Sequence, residues 1–250
     1  MKKRPGMSLL FLFLILPISI VLAHTGEDFD FSPKTAYPLT LMQAAGYGSI
    51  IFGALIFIVI FKGNSLSDSS KKTIFISIAG LVSLITLYLV VVTLHMNLTS
   101  DTKGPVHWHA DYEIWACGKR IRLAEPKFMS NTQGTQMTHS HNDDRIHIEG
   151  TLLDLKESGL RYFFHSVGGS ISIDGMSIPT DEGMKEFHNG DLCNELPARL
   201  YAFVNGNQVA DFPAYRISHY GEVPPGDRIK FVFTEKPLNQ IGTNIGKNGT

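Results

Sequence analysis

The sequence predicts an α+β protein in which two transmembrane helices precede a β-rich mixed domain with one clear helix. Most of its apolar residues fall in three blocks before residue 98. The remaining stretch of about 150 residues has an ordinary globular composition and is long enough to bury one core. Short segments of this stretch alternate apolar and polar residues, which is the period of a β-strand.

Charge and motifs exclude some classes of function. With a net charge of −1, the chain offers no electrostatic basis for binding nucleic acid. It contains no nucleophile elbow, no H-E-x-x-H motif and no phosphate-binding glycine loop. The sequence therefore identifies no familiar enzyme class.

Residues 1–23 have the features of a signal peptide. Basic residues at 2–4 precede an apolar run of about 17 residues, which ends in Val21-Leu22-Ala23. An uncleaved membrane anchor is the alternative, but the run is short for that purpose and contains Pro17. We expect cleavage after Ala23, which leaves residues 24–39 as a short extracytoplasmic segment.

Residues 40–98 contain the other two apolar blocks, from about Thr40 to Phe61 and from about Thr73 to Leu94. Each block is uncharged and, as a helix, long enough to cross roughly 30 Å of hydrocarbon. We therefore predict a transmembrane hairpin in a lipid bilayer. Small residues at four-residue spacing would let helices pack closely, within one chain or between self-associating chains. These are Ala45, Ser49 and Gly53 in the first block and Ala79 and Ser83 in the second.

The distribution of lysines predicts the topology. The 62–72 loop carries three lysines and one aspartate, and lysine marks the cytoplasmic side. Residues 99–250 are then an extracytoplasmic domain held at the plasma membrane. Because that compartment is oxidising, Cys117 and Cys193, the only cysteines, could form a disulfide, although two free thiols are the alternative.

Two segments place histidines on the polar face of a predicted strand. Residues 105–116, PVHWHADYEIWA, alternate strictly, and so do residues 144–150, DRIHIEG. The polar positions of the first are His107, His109, Asp111 and Glu113, and those of the second include His147 and Glu149. His139 and His141 precede the second strand in a polar segment that we interpret as a loop.

The rest of the domain predicts one helix and further strands. Apolar residues at 160, 163, 164 and 167 have helical spacing, with Ser158 as a candidate N-cap and Gly168 at the C-terminal end. Asn205-Gly206 is a strong hairpin signal, and Ile229, Phe231 and Phe233 alternate in a closing strand.

These histidines could form one metal site. Several imidazoles that converge bind zinc, copper, nickel or iron, and neighbouring strands would bring the two segments within reach of one ion. The predicted ligands of a divalent transition metal, zinc or copper by preference, are His107, His109, His139, His141, His147 and Glu149. Asp111, Glu113, Asp143 and Asp144 could be further ligands or could orient an imidazole through its second nitrogen. Solvated histidines on a polar strand face are the alternative.

Motifs spread over residues 105–236 resemble a group of uncharacterised, membrane-anchored proteins of the prokaryotic cell envelope. The motifs are HWHADYEIWACGKRI, HSHNDDRIHIEG, GDLC, LYAFVNG and PPGDRI. In that group H-W-H-A, a later H-x-H with acidic residues and I-H-x-E recur in the same order. The resemblance supports the grouping of the six predicted ligands and implies no activity, substrate or protein partner.

Three functions remain open at this point. The first is an envelope metal-binding module, which would act as a carrier, a sensor or a sequestering domain. The second is a metal-dependent hydrolase or oxidoreductase at the same site, with Glu149 or Glu113 as general base. The third is a structural or interaction domain. An exchangeable position on the metal would favour an enzyme, and a saturated ligand set would favour transport or structure.

Overall fold

The structure is a computed structural model, and it describes residues 39–126, 131–141, 143–217 and 226–245. The predicted signal peptide and all but the last residue of the segment that follows it lie outside the described residues. The described part is a mixed α+β structure in which two long apolar helices precede a β-rich domain. This confirms the predicted α+β class and the β-rich domain, and the insertion of the helices into a membrane stays a prediction.

The two N-terminal helices are α1, Leu41–Lys62, and α2, Asp68–Thr99. Both are long and apolar enough to cross a membrane, by length and composition. The α2 helix begins five residues earlier than the apolar block because the Ser67 side chain caps it and accepts from the Ser70 amide. A first-turn acid, Asp68, also suits the positive end of the helix dipole.

The two helices meet through small residues, but not through the predicted ones. Ala44 and Gly48 are the buried residues of α1, and a Cβ at Gly48 would clash with the Ile85 side chain. The predicted residues Ala45, Ser49, Gly53, Ala79 and Ser83 are all exposed. Within the chain, the contact is offset by one position in α1 from the predicted residues, because each residue turns a helix by about 100°. Contact of the exposed small residues between self-associating chains stays a prediction.

Among the described residues, thirteen strands and a third helix form the domain. The strands are Pro105–Ala116 (β1), Lys119–Ile121 (β2), Gln133–Gly134 (β3), Thr138–Ser140 (β4), Arg145–Thr151 (β5), Ser170–Ser172 (β6), Gly175–Thr180 (β7), Gly183–His188 (β8), Leu192–Cys193 (β9), Leu196–Pro197 (β10), Arg199–Val204 (β11), Asn207–Val209 (β12) and Asp227–Thr234 (β13). The main sheet has the order β12-β11-β13-β1-β5-β4-β3, with β2 paired to β1. Strands β6, β7 and β8 form a second sheet, and β9 pairs with β10.

The long strand β1 is the centre of the main sheet. It pairs antiparallel with β5 along its first half and parallel with β13 along its second half. Its alternation is as predicted: Ala110, Tyr112 and Ile114 are buried on one face, and the histidines lie on the other. The turn to β2 places Cys117 and Gly118 at positive φ, which a tight hairpin with this twist requires.

The core lies between the apolar face of the main sheet and helix α3, Leu160–Ser166. Phe163 and Phe164 of this helix are fully buried and stack edge-on against Tyr112 and Phe231. Gly159 is the N-cap, whereas the hydroxyl of the predicted cap Ser158 donates to the Leu155 carbonyl. The opposite face of the same sheet is therefore left to the polar residues.

Candidate metal centre

The strand register brings both histidine-rich segments together. On the β1–β5 pair, His107 lies opposite Glu149 and His109 lies opposite His147. On the β4–β5 pair, His139 lies opposite His147. Side chains of directly paired residues share a face of the sheet, so three strands contribute to one row with His147 in the middle.

The segment before β5 was predicted to be a loop, but Thr138–Ser140 is a strand paired with β5. Thr138 is fully buried there because its hydroxyl donates to the Glu157 carbonyl. Because of this pairing, His139 is held by the sheet, and it is 4% exposed. His141 follows directly after the strand.

Five imidazoles form the histidine cluster, namely His107, His109, His139, His141 and His147. The His147 ring centre lies 4.5 Å from that of His109, 4.6 Å from that of His141 and 5.5 Å from that of His139. Two triads can each hold a metal ion, because one nitrogen from each member lies within 4.8 Å of the others. The triads are His107, His109 and His147, and His139, His141 and His147.

Three buried nitrogens of this cluster have no hydrogen-bond partner among the described residues. They are Nδ1 and Nε2 of His109 and Nδ1 of His147. A buried polar group without a partner costs about 1–3 kcal/mol, so such groups in a folded protein need a physical explanation. Their convergence with other imidazoles fits a bound cation, whose coordination would satisfy one lone pair on each ring.

The other nitrogens are held by specific acceptors. Nδ1 of His139 lies 3.2 Å from the Thr135 carbonyl oxygen, and Nδ1 of His141 lies 2.7 Å from that of Asn131. A carbonyl can only accept, so these contacts place the proton on Nδ1 and leave Nε2 as the lone-pair nitrogen. Hydrogen bonds of this type orient metal-binding imidazoles.

Burial keeps two of the imidazoles, His109 and His139, in the form that binds metals. Burial, followed by the charges of His147 and His107, lowers the pKa of His109 to about 4. Burial also lowers the pKa of His139. Both rings are therefore neutral at neutral pH, with a lone pair available for an ion.

The predicted acidic residues divide into two groups. Near the cluster, Asp143 Oδ2 accepts from His147 Nε2 at 2.9 Å, and Glu149 Oε1 lies 3.0 Å from His107 Nε2. Burial raises the pKa of Asp143, but the bond and the charge of His147 outweigh it, so the pKa lies below its usual value. Asp143 therefore lies beside the second nitrogen of His147, and its role in orienting a metal-bound imidazole stays a prediction.

The remaining carboxylates are engaged by cations and by tryptophan. Arg145 Nε donates to Asp111 at 2.7 Å. Trp115 Nε1 donates to the buried Glu113 at 2.9 Å, and Arg120 lies 2.9 Å from Asp144. These contacts make Asp111, Glu113 and Asp144 parts of the surrounding framework, whereas Glu149 contacts a histidine of the cluster.

Sequence reasoning missed the groups that position the cluster. A Cβ at Gly134 would lie 2.6 Å from the Thr138 carbonyl oxygen, and one at Gly226 would clash with the His109 carbonyl. These glycines therefore allow β3 and the start of β13 to approach the histidine-bearing strands. The acceptors at Asn131 and Thr135 are backbone carbonyls, and residue type gives no signal for them.

The far end of β1 is fixed covalently. Cys117, at the hairpin, forms a disulfide with Cys193 of β9, and their Cα atoms are 5.2 Å apart.

Comparison with family models, with curated proteins and with solved structures gives no match for this chain. The geometry of the histidine cluster is therefore the feature from which a function can be inferred.

Proposed function

We propose that this chain is a membrane-anchored protein whose β-rich domain binds a divalent transition metal, zinc or copper, through the histidine cluster. It would act at the extracytoplasmic face of the plasma membrane as a carrier, a sensor or a sequestering module. One observation carries the proposal: buried nitrogens of His109 and His147 lack hydrogen-bond partners among the described residues and converge with other imidazoles. An all-imidazole set suits Zn²⁺ and Cu²⁺ better than Mg²⁺ or Ca²⁺, which prefer oxygen.

The metal content of the purified full chain tests this proposal. The protein would be prepared in detergent without a metal-affinity column, loaded with Zn²⁺ or Cu²⁺, dialysed and analysed for metals. We expect about one ion per wild-type chain. His147→Ala should lower the affinity for the ion by at least about tenfold, because His147 belongs to both triads.

A matched control is His188→Ala, since His188 is exposed on the second sheet and outside the cluster. It should keep the full metal content. If the wild type retains no zinc or copper under these conditions, or if His147→Ala retains as much as the wild type, the proposal is wrong.

The location of the domain is tested separately. The lysines of the 62–72 loop support a cytoplasmic loop, which would place both the N-terminal end of α1 and the C-terminal end of α2 on the other side. An alkaline phosphatase fused to the C-terminus should therefore be active in a bacterial host. Activity of a reporter that works only in the cytoplasm would overturn the assignment.

A metal-dependent hydrolase is the second candidate, and one observation favours it. Glu149 is a partly exposed carboxylate, directly beside His107. It could deprotonate a metal-bound water if the ion keeps an open position. Glu149→Gln would then abolish turnover and leave metal content unchanged, whereas a carrier would show no turnover in either form.

A further inference from the structure

The two triads of the cluster share one residue. The outer triad is His107, His109 and His147, and the inner triad is His139, His141 and His147. The shared ring lies almost equally far from a ring of each triad, at 4.5 Å from His109 and 4.6 Å from His141. A metal ion bound by either triad would therefore use His147.

His147 has one nitrogen to offer. Its Nε2 is bonded to Asp143 Oδ2 at 2.9 Å, and its Nδ1 is buried without a partner in the described part of the chain. A neutral imidazole has a single lone pair, so Nδ1 binds one ion at a time. Both triads cannot be complete at once unless His147 loses its Nε2 proton and its bond to Asp143.

The triads differ in access to solvent. The side chain of His107, in the outer triad, is 60% exposed, and its Nε2 contacts the exposed carboxylate Glu149. In the inner triad, His139 is buried. An ion from solvent would thus meet the outer triad first.

The triads also differ in how firmly their ligands are held. Two residues belong to the inner triad alone, His139 and His141. Each has its Nδ1 within hydrogen-bond distance of a backbone carbonyl. In the outer triad, neither nitrogen of His109 has a partner among the described residues, and His107 contacts the partly exposed side chain of Glu149 rather than the backbone. Ligands that are already oriented lose less freedom when they bind, so the inner triad is the more organised position.

We propose that the cluster holds one ion in two overlapping positions, an outer position open to exchange and an inner position that retains the ion. This inference rests on the proposed metal binding and specifies how the ion would be acquired. The ion would pass inward by exchanging the nitrogens of His107 and His109 for those of His139 and His141. His147 would remain bound throughout, so each new metal–nitrogen bond replaces one that breaks and no electron is transferred.

Copper titration of the full chain in detergent tests the two positions. The outer double variant is His107→Ala with His109→Ala, and the inner double variant is His139→Ala with His141→Ala. We expect one Cu²⁺ per wild-type chain. Each double variant should also bind one Cu²⁺ per chain, but with lower affinity than the wild type. Electron paramagnetic resonance should give different copper hyperfine splittings for the two double variants, because their ligand sets differ.

The rate of release to EDTA provides the second measurement. The outer double variant, which keeps only the inner position, should release Cu²⁺ about tenfold more slowly than the inner double variant, because its ligands are better oriented. The same pairs made as His→Gln retain more of the side-chain volume, and circular dichroism would identify any variant that does not fold.

The outcomes separate this inference from the proposed function. Two ions per wild-type chain, loss of all binding in either folded double variant, or equal release rates would overturn the two-position proposal and leave metal binding intact. If the wild type binds no Cu²⁺ and no Zn²⁺, the proposed function fails as well.

Discussion

The two faces of the β1–β5–β4 part of the main sheet share a backbone but have opposite properties. On one face, Ile146 and Ile148 are fully buried against the core. On the other, His109 and His147 have buried nitrogens without partners among the described residues. Alternate residues of one strand, β5, thus belong to two different environments.

The two faces contribute to different properties of the domain: the core face to folding stability and the polar face to the proposed metal binding. Burial of apolar area on the core face contributes roughly 25 cal/mol per Å² to folding, which makes that face the source of the stability of the sheet. Imidazole nitrogens that are buried without partners lower the stability of the metal-free domain instead. Substitutions on the two faces should therefore act on different measured quantities.

The largest expected effect is on the free energy of unfolding, and substituting one residue on each face tests it. Ile148→Ala should lower the free energy of unfolding of the metal-free chain by about 2–5 kcal/mol, since Ile148 is fully buried. His109→Leu should change it by less than about 1 kcal/mol or raise it, because no hydrogen bond is lost. Urea denaturation of the full chain in detergent measures both.

Tryptophan fluorescence makes this measurement specific to the sheet. Both tryptophans of the chain, Trp108 and Trp115, lie on β1 and not in the apolar helices.

The two substitutions should affect metal binding in the opposite order. Folded Ile148→Ala should still bind the ion, whereas His109→Leu should bind it more weakly. If His109→Leu destabilises the chain as much as Ile148→Ala, the separation of the two faces is wrong.

Local sequence patterns were sufficient to predict one part of this arrangement. Strict alternation placed His107 and His109 on the polar face of β1, and the structure has them there. The Asn205-Gly206 signal predicted a hairpin, and both residues have the positive φ that this turn needs. Such patterns succeed because they depend on residues close in sequence.

Long-range pairing was beyond sequence reasoning. The parallel pairing of β1 with β13 joins segments more than a hundred residues apart, such as Ala110 and Asp227, and no local pattern specifies it. The β4 strand was interpreted as a loop because Thr138 and Ser140 are polar, and only the tertiary partners of Thr138 explain its burial. The convergence of His139 on His147 depends on that pairing, so the histidines could be identified from local patterns but their arrangement could not.

The smallest expected effect is the pH dependence of the metal-free domain. The pKa of His109 is lowered from 6.5 in the unfolded chain to about 4 in the folded domain. Between these values the unfolded chain binds a proton that the folded domain does not, so stability should fall as pH decreases from about 6.5 towards 4. Above pH 6.5 both states are neutral at this residue, and it makes no contribution.

The comparison with His109→Gln isolates this contribution, because other titrating groups, including His139 and Asp143, are common to both proteins. The wild type should lose stability relative to the variant by at most about 1.4 kcal/mol per pH unit in this window, reduced by solvent screening because His109 is only partly buried. Urea denaturation at pH 7.5, 6.0 and 4.5, each with a chelator present, measures how the difference in stability between the two proteins changes with pH. Saturating Zn²⁺ at pH 7.5 should stabilise the wild type more than the variant, since an ion that binds only the folded state adds to its stability. Parallel pH profiles for the two proteins would mean that the polar face does not hold His109 in the neutral form, and the contrast with the core face would then not extend to protonation.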